Sequence, residues 1–309
     1  MSFPDSFDWL PQAPLQPLTL DWLAQAGVEV AVLRLEQIDP LISGNKWFKL
    51  LEYLTAARQA GASGIISLGG AHSNHLHALA AAGQRFGFAT AGLLRGHSQD
   101  TPTVLDLKRM GMQLHWLGYG GYRARHEPGF WAPWQTLYPH LYPVPEGGGG
   151  LPGARGCGGL VAQVRQQLSG LGWADYHGWW LACGTGTTLA GLVLAESGAH
   201  PVYGALAVPD DHGVAQNVER ILREAGHMPS GYELLEASRG GFAKVDPPLL
   251  AFIEATEGQS GIALEPLYTG KALLALRDAV QAQSFARGTR LVFVHTGGLQ
   301  GRRGMGGAA

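Results

Sequence analysis

At residues 179–188 the sequence reads WWLACGTGTT, so that an unbroken apolar run passes directly into a glycine-rich turn. Two other segments have the same form, IISLGG at 65–70 and VFVHTGG at 292–298. A short apolar run that is rich in β-branched or aromatic residues and stops at glycine is typical of a buried β-strand followed by a tight turn. The three segments therefore predict three strands that each end in a glycine turn.

Helix-like segments alternate with these strands, namely 73–85, 103–110, 187–197, 214–225 and 270–283. This alternation predicts an α/β fold whose mainly parallel sheets are covered by helices. In such folds the ligand-binding groups gather at the carboxyl ends of the strands. The glycine-rich turns are therefore the candidate functional segments.

One low-complexity stretch, PVPEGGGGLPGARGCGG at residues 143–159, interrupts this alternation. Its glycines and prolines predict either a crossing between two lobes or an ordinary surface loop. A chain of 309 residues is long enough for one large α/β domain or for two of ordinary size. Both interpretations stay open at this point.

The composition is that of a compact protein, because 46% of the residues are hydrophobic and only 15% are charged. A formal net charge of −2 gives no general attraction to nucleic acid or to anionic membranes, so we expect neither partner. The N-terminal residues MSFPDSFDWLPQAPLQPL lack the basic start and apolar run of a secretory signal. We expect a cytoplasmic protein in which Cys157 and Cys183 are reduced and Cys183 is buried.

The turn GTGTT at 184–188 gives the strongest functional signal that the residues carry by themselves. Glycines let the backbone approach an anion, N–H groups at a helix start point toward it, and threonine hydroxyls add donors. The turn lacks the lysine of a P-loop and the three-glycine spacing of a dinucleotide fingerprint. It predicts a site for a phosphate group, with a turn that binds nothing as the alternative.

The segment GGAHSNH at 69–75 again joins a predicted strand to a predicted helix and brings Ser73 or Asn74 to the N-cap. Capping alone explains either residue, whereas free N–H groups and a hydroxyl at a helix start also suit a carboxylate. His72, His75 and His77 suggest a metal, but no cysteine or carboxylate lies nearby in the sequence to complete a tetrahedral site. We therefore expect no metal.

Two further segments, HTGG at 295–298 and EPLYTGK at 265–271, combine hydroxyl residues with glycine, and a tight turn explains each when it is taken alone. The segment SGNKWFKL at 43–50 contains Lys46 and Lys49, which share one helical face if a helix starts near Asn45. A lysine that forms a Schiff base must lose its proton near neutrality, which an apolar surrounding favours. Periodicity does not choose between the two lysines.

Five motifs, SGNKWFKL, LGGAHSNH, CGTGTT, EPLYTGK and HTGG, occur in the order seen in aminocyclopropanecarboxylate deaminases and D-cysteine desulfhydrases, and they span nearly the whole chain. The chain thus resembles the tryptophan synthase β-like class of pyridoxal phosphate enzymes, which is fold type II. The resemblance implies two lobes with three-layer, open parallel sheets, bound pyridoxal 5'-phosphate, a small amino-acid substrate and a homodimer. It also implies a smaller domain at 47–151, inserted into a larger cofactor-anchoring domain formed by 1–46 and 152–309.

The resemblance assigns roles on the side of the site that holds the reacting lysine. Lys46 would carry the cofactor as a Schiff base and transfer protons, with Lys49 in support. Ser73, Asn74 and His75 would bind the substrate carboxylate, Ser73 would also count among the catalytic residues, and Asn74 would lie near the phenolic oxygen of the cofactor.

The same resemblance assigns the cofactor's phosphate to five consecutive residues, Gly184, Thr185, Gly186, Thr187 and Thr188. Tyr268 would act as a catalytic residue on the substrate side, and Thr269 would bind substrate beside it. Thr296 would hydrogen-bond the pyridine nitrogen. Since a neutral hydroxyl does not stabilise a protonated pyridine as a carboxylate would, the ring is a weaker electron sink. Transamination is then disfavoured, and β-elimination to a 2-oxo acid and ammonia is expected.

Departures from the family pattern bear on the substrate. Thr269 and Thr296 stand where the deaminases carry Glu and Leu, whereas the desulfhydrases have threonines there and share the SNH triplet. A D-cysteine-like substrate is therefore preferred. Phe48 stands where arginine is usual, and Phe242 occupies the position of a second active-site tyrosine, so an acid or anchor is lost. The alternatives are aminocyclopropanecarboxylate deamination, amino-acid racemisation or dehydration, a non-catalytic pyridoxal phosphate-binding protein and, more remotely, a nicotinamide enzyme.

Overall fold

The computed structural model describes residues 9–304. Residues 1–8 and 305–309, which begin and end the larger domain expected from the sequence, lie outside the described residues. The strands are β1 (Leu15–Pro17), β2 (Glu29–Arg34), β3 (Gly64–Gly69), β4 (Ala89–Leu94), β5 (Gln113–Trp116), β6 (Leu141–Pro143), β7 (Gly178–Cys183), β8 (Val202–Leu206), β9 (Tyr232–Glu236) and β10 (Arg290–His295). The helices are α1 (Asp21–Ala26), α2 (Lys46–Gln59), α3 (Asn74–Phe86), α4 (Pro102–Arg109), α5 (Gly118–Arg123), α6 (Ala132–Leu137), α7 (Gly150–Gln167), α8 (Thr187–Glu196), α9 (Val214–Glu224), α10 (Pro247–Ser260) and α11 (Thr269–Gln281).

The strands form two sheets. The larger has the order β1-β2-β10-β7-β8-β9, and only β1 runs antiparallel to its neighbour. The smaller has the order β5-β4-β3-β6 and is parallel throughout. The expected α/β fold with mainly parallel sheets is thus confirmed. All four strands of the smaller sheet fall within residues 47–151, the range that we propose as the inserted domain.

The three strands predicted from glycine-terminated apolar runs are all present, as β3, β7 and β10. Every residue of β7 is buried, as expected for a central parallel strand with both faces covered. Because side chains alternate along a strand, Trp179 joins the core beneath α7 and α8, while Trp180 faces the opposite layer. There the Trp180 indole donates to the carbonyl oxygen of Ala272 at 2.8 Å and anchors α11 to the sheet.

The low-complexity stretch, for which a crossing between two lobes and a surface loop were both open, is partly helical. Its second half begins α7, so the surface-loop interpretation is wrong from Gly150 onward, and only 144–149 connect β6 to this helix. The glycines of α7 serve close packing: a Cβ at Gly153 or Gly156 would overlap a backbone carbonyl, that of Gly148 or of Phe48. Composition alone does not distinguish such packing glycines from loop glycines.

Among residues 9–304, none of the helices combines the length and the apolar character that crossing a membrane requires.

Candidate active site

The start of α2 joins the ends of two neighbouring strands of the larger sheet. The Asn45 backbone N–H donates to the carbonyl oxygen of Thr296, just beyond β10, at 3.1 Å. The Asn45 side chain donates from Nδ2 to the Thr188 hydroxyl, at the start of α8, at 2.8 Å. Gly44 has a φ of 83°, and a Cβ there would overlap the Thr296 carbonyl, so this junction requires glycine. Asn45 therefore fixes Lys46, the next residue, beside the predicted phosphate turn.

Lys46 and Lys49 lie one helical turn apart on the same face of α2, as the sequence predicted. Burial lowers the pKa of Lys46 well below its usual value, and the neighbouring Lys49 lowers it further. Burial also lowers the pKa of Lys49, which is 3% exposed. Among the described residues, neither amine has a carboxylate within ion-pair distance, and Glu146 pairs with Arg125 instead. Lys46 therefore presents an uncharged amine more readily than an ordinary lysine does.

A glycine loop at 147–150 lies between these lysines and the phosphate turn. A Cβ at Gly147 would lie 4.0 Å from both the Lys46 Nζ and the Thr185 Cγ2, so those atoms are no further apart than twice that distance. A Cβ at Gly148 would lie 3.0 Å from the Lys49 Cβ. Sequence reasoning did not place this loop in the site. The signal was available, since a short strand again runs into glycine, but its apolar run is too brief to stand out.

The predicted phosphate turn has the geometry of an anion site. Gly186 is left-handed, with a φ of 73°, and α8 begins at Thr187, whose side chain is fully buried. The hydroxyls of Thr185 and Thr187 lie 3.0 Å apart. The first N–H groups of a helix have no acceptor within it, so those of α8 are available to a ligand. Gly184 is covered by the Tyr268 ring, whose Cε1 would lie 2.9 Å from an added Cβ.

The start of α3 brings Ser73, Asn74 and His75 together. Of the two N-cap candidates, Ser73 and Asn74, the structure selects Ser73. Its hydroxyl accepts the N–H of Leu76 at 3.2 Å and keeps its own hydrogen for another acceptor. The Asn74 Oδ1 accepts from Gln300 at 2.8 Å. The capping role explains why a serine stands at position 73, and it leaves the hydrogen of the hydroxyl group free to donate.

The His75 ring is buried in one defined tautomer. The Ser67 hydroxyl donates to the Val144 carbonyl at 2.9 Å, so it must accept from the His75 Nε2–H at 2.8 Å. Nδ1 is then a bare acceptor, and it has no partner among the described residues. Burial, followed by the charges of Lys46 and Lys49, lowers the ring pKa well below its usual value. A neutral acceptor does not bind a carboxylate, so the prediction for His75 now rests on its backbone N–H.

The segment 265–271 is organised around a buried carboxylate. Glu265 accepts the N–H groups of Tyr268 and Thr269 at 2.8 and 2.6 Å and so caps α11. The Thr269 hydroxyl is fully buried and accepts the Glu265 N–H at 3.0 Å. It is therefore turned into its own loop, and the structure gives no support for direct substrate contact by Thr269. Tyr268 instead lies against Gly184, and burial followed by the Glu265 charge raises its pKa, which keeps it a phenol.

The two phenylalanines that depart from the family pattern differ in position. Phe48 is buried in the core beneath α7. The Phe242 ring meets the Tyr268 ring edge-on at 5.3 Å, so it belongs to the wall that Tyr268 forms. No group of three potential metal ligands occurs within residues 9–304.

Comparison with known sequences places this geometry in a family. A model described as "Pyridoxal-phosphate dependent enzyme" matches residues 10–297. A Pyrococcus horikoshii protein, provisionally named 1-aminocyclopropane-1-carboxylate deaminase, is 27% identical over an alignment of 293 residues that covers 90% of this chain and 86% of the relative. The D-cysteine desulfhydrase of Klebsiella pneumoniae is 25% identical over an alignment of 305 residues that covers 91% of this chain and 92% of that one.

Solved structures agree on the fold. An ACC deaminase homologue superimposes with a TM-score of 0.81 at 25% identity, covering 97% of this chain and 93% of its own. Threonine deaminase isoform 2 of Solanum lycopersicum has a TM-score of 0.67 at 14% identity, covering 93% of this chain and 83% of its own, and bears on the fold alone. The expected fold type II is confirmed. Since the family model spans nearly all of the described residues, the chain belongs to the pyridoxal-phosphate dependent enzymes, and its cofactor is pyridoxal 5'-phosphate.

Proposed function

We propose that this enzyme catalyses β-elimination on a small, D-configured amino acid resembling D-cysteine, so that the β-substituent leaves and water converts the remainder to a 2-oxo acid and ammonia. One observation carries the proposal: a lysine amine with a lowered pKa lies beside a glycine-threonine turn that offers free donors to an anion. The first feature suits covalent attachment and proton transfer, and the second suits a phosphate.

The residues fit the cofactor. Lys49 is a buried amine that has no carboxylate partner among the described residues, and a phosphate bound at 184–188 supplies the missing negative charge. When bound, pyridoxal 5'-phosphate contributes an aldehyde that bonds to an amine and a ring that withdraws electrons from the substrate α-carbon. Thr296, which directly follows β10 and lies beside Asn45, is the residue that we assign to the ring nitrogen.

Lys46 performs the proton transfer in this proposal. Its lowered pKa favours the unprotonated amine, which is the form able to accept the proton of the substrate α-carbon. Lys49 keeps it in this state, because two ammonium groups one turn apart repel each other.

The start of α3 binds the substrate carboxylate in this proposal. The Ser73 hydroxyl keeps a free hydrogen, and the N–H groups of Asn74 and His75 lie in the first turn, where no acceptor exists within the helix. The positive end of the helix dipole favours an anion at this point. The neutral His75 ring adds no charge, so orientation there depends on hydrogen bonds rather than on an ion pair.

Tyr268 is proposed to donate a hydrogen bond to the departing group, since its raised pKa keeps the hydroxyl protonated. The neutral Thr296 hydroxyl stabilises a protonated ring less than a carboxylate would, which favours rapid loss of a β-substituent over transamination.

The substrate preference rests on two kinds of support. One relative is named a D-cysteine desulfhydrase and others are provisionally named 1-aminocyclopropane-1-carboxylate deaminases, at similar identity. The threonine at 269, which the chain shares with the desulfhydrases, acts on the shape of the loop because its hydroxyl is held by Glu265. The homodimer and the cytoplasmic location stay predictions.

The direct test is to assay the purified holoenzyme for 2-oxo acid and ammonia with D-cysteine, β-chloro-D-alanine, 1-aminocyclopropane-1-carboxylate and both enantiomers of serine. We expect turnover of the first two, and none by Lys46→Ala. Lys49→Ala is the matched control, since after borohydride reduction its cofactor should remain attached at residue 46. No product from any substrate refutes the proposed reaction, and attachment in Lys46→Ala refutes the lysine assignment.

A further inference from the structure

Lys271 is a buried lysine to which none of the steps above gives a role. It is the third residue of α11 and is 1% exposed. A cation in the first turn of a helix opposes the helix dipole, and removing an ammonium group from water is costly. Such a position persists only if the group makes compensating contacts.

The compensating contacts are three carbonyl oxygens of one loop. The Lys271 Nζ donates to Ser238 and Gly241 at 2.8 Å each and to Phe242 at 2.9 Å. An ammonium group has three N–H bonds, so all of its donors are used. The loop follows β9 and contains Arg239 and Gly240 in the left-handed region, at φ values of 58° and 79°. The three hydrogen bonds gather these carbonyls around one point and close the loop.

The charged groups around this clamp fit the same role. The Glu265 carboxylate, which caps α11, acts favourably on the Lys271 charge, as do Glu236 and Asp246, whereas Arg239 opposes it. Arg239 is itself paired with Asp246 at 2.5 Å, which closes the loop from its outer side.

The loop and the start of α11 together carry two aromatic rings of the site. Phe242 meets Tyr268 edge-on at 5.3 Å, and Tyr268 lies against Gly184 of the phosphate turn. Lys271 comes three residues after Tyr268 in the helix start and holds the backbone of Phe242 directly. One side chain therefore joins the helix start that follows Tyr268 to the backbone of Phe242.

We propose that Lys271 is a positioning residue, which clamps loop 238–242 so that Phe242 packs against Tyr268 and shapes the substrate side of the site. The effect on catalysis rests on the proposed function. The effect on the loop does not, so the two are measured separately.

The test replaces Lys271 by methionine, which keeps the length of the side chain and removes all three donors. Trypsin has two exposed targets next to the clamp, Arg239 and Lys244. We expect cleavage of the holoenzyme there to be at least about tenfold faster in Lys271→Met, since even one hydrogen bond to a charged group is worth about that factor. Lys108→Met, the same exchange at a half-exposed lysine of α4, is the control and should cleave like the wild type.

Steady-state kinetics supply the second measurement. In Lys271→Met we expect KM to rise by more than kcat falls, with unchanged cofactor content, because Lys46 and the phosphate turn are intact. If Lys271→Met does not fold, Lys271→Gln, which keeps donors but is too short to reach all three carbonyls, is judged by the same criteria.

The proposal is overturned if Lys271→Met is cleaved at Arg239 and Lys244 no faster than the wild type. So does a variant whose melting temperature falls while cleavage and KM stay unchanged, since Lys271 would then be merely structural. If no substrate is turned over by the wild type, the proposed function fails, and the cleavage rates still decide whether the clamp exists.

Discussion

Exchanging Gly153 for alanine is expected to destabilise the protein and to release the cofactor, although alanine is the better helix former. Gly153 lies in the first turn of α7, and a Cβ there would lie 1.9 Å from the carbonyl oxygen of Gly148. Side chains essentially never approach closer than 3.0 Å, so the two backbones must separate by about 1 Å. Gly148 is itself close to the site, since a Cβ there would lie 3.0 Å from the Lys49 Cβ and 3.3 Å from the His75 Cε1, so the displacement reaches the site.

The magnitude follows from two opposing effects. Overpacking a core costs about 1–3 kcal/mol, and the upper end applies because the obstacle is backbone rather than a flexible side chain. Replacing glycine by alanine inside a helix raises the free energy of unfolding by about 1 kcal/mol. The net loss is therefore about 2 kcal/mol in the free energy of unfolding, which urea unfolding of the apoenzyme resolves. The affinity for pyridoxal 5'-phosphate, measured by absorbance titration, should fall as well.

Gly159→Ala is the matched control in the same helix. A Cβ at Gly159 meets nothing within 4 Å, so the exchange should stabilise the protein by up to about 1 kcal/mol and leave cofactor affinity unchanged. Similar unfolding free energies for the two variants would refute the argument that α7 packs through Gly153.

Three further predictions concern the site and its charges. Lys49→Met should raise the pKa of Lys46, because a neighbouring positive charge is removed. The pH midpoint for chemical modification of the Lys46 amine should therefore move upward. An unchanged midpoint would contradict the repulsion between the two lysines. Asn45→Ala removes the hydrogen bond to Thr188 and should weaken cofactor binding by about tenfold in an absorbance titration, whereas equal affinity would show that the Asn45 side chain does not organise the phosphate turn. Burial lowers the pKa of Lys271 to about 8 from 10.5, so the unfolded chain binds more protons between these pH values, and stability should rise with pH there more in the wild type than in Lys271→Met. If the melting temperatures of the wild type and of Lys271→Met depend on pH in the same way, the shift in the pKa of Lys271 is contradicted.

Local sequence signals were sufficient where one element determines its own ends. The run WWLAC followed by GTG predicted β7 and the start of α8. The capping residues Ser73 and Asn74 predicted the start of α3. Each of these depends on chemistry within a few residues. The pairing of Lys46 with Lys49 on one face of α2 was predictable for the same reason.

Features set by distant contacts were not predictable from local pattern. The composition of residues 143–159 predicted a crossing between two lobes or a surface loop rather than helix α7. The helix was missed because its glycines are explained only by the carbonyls of Gly148 and Phe48, which they approach. The orientation of the Thr269 hydroxyl depends on how Glu265 folds back, and the tautomer of His75 depends on Ser67 and Val144. The spacing of residues within the motifs does not reveal which distant groups will contact Thr269 and His75.

The excess of glycine thus has two causes that act on the same site. Left-handed glycines such as Gly186 end strands and expose N–H groups, while right-handed glycines such as Gly191 let α7 and α8 approach until a Cβ would overlap the carbonyl of Ala154. Close packing of these helices aligns the start of α8 with that of α7, so two positive helix ends and two lysines lie around one small volume. The Glu146 carboxylate, whose charge acts on Lys46, is engaged by Arg125 and Tyr122. A bound anion would be stabilised in this volume, and we propose that the phosphate of the cofactor is that anion.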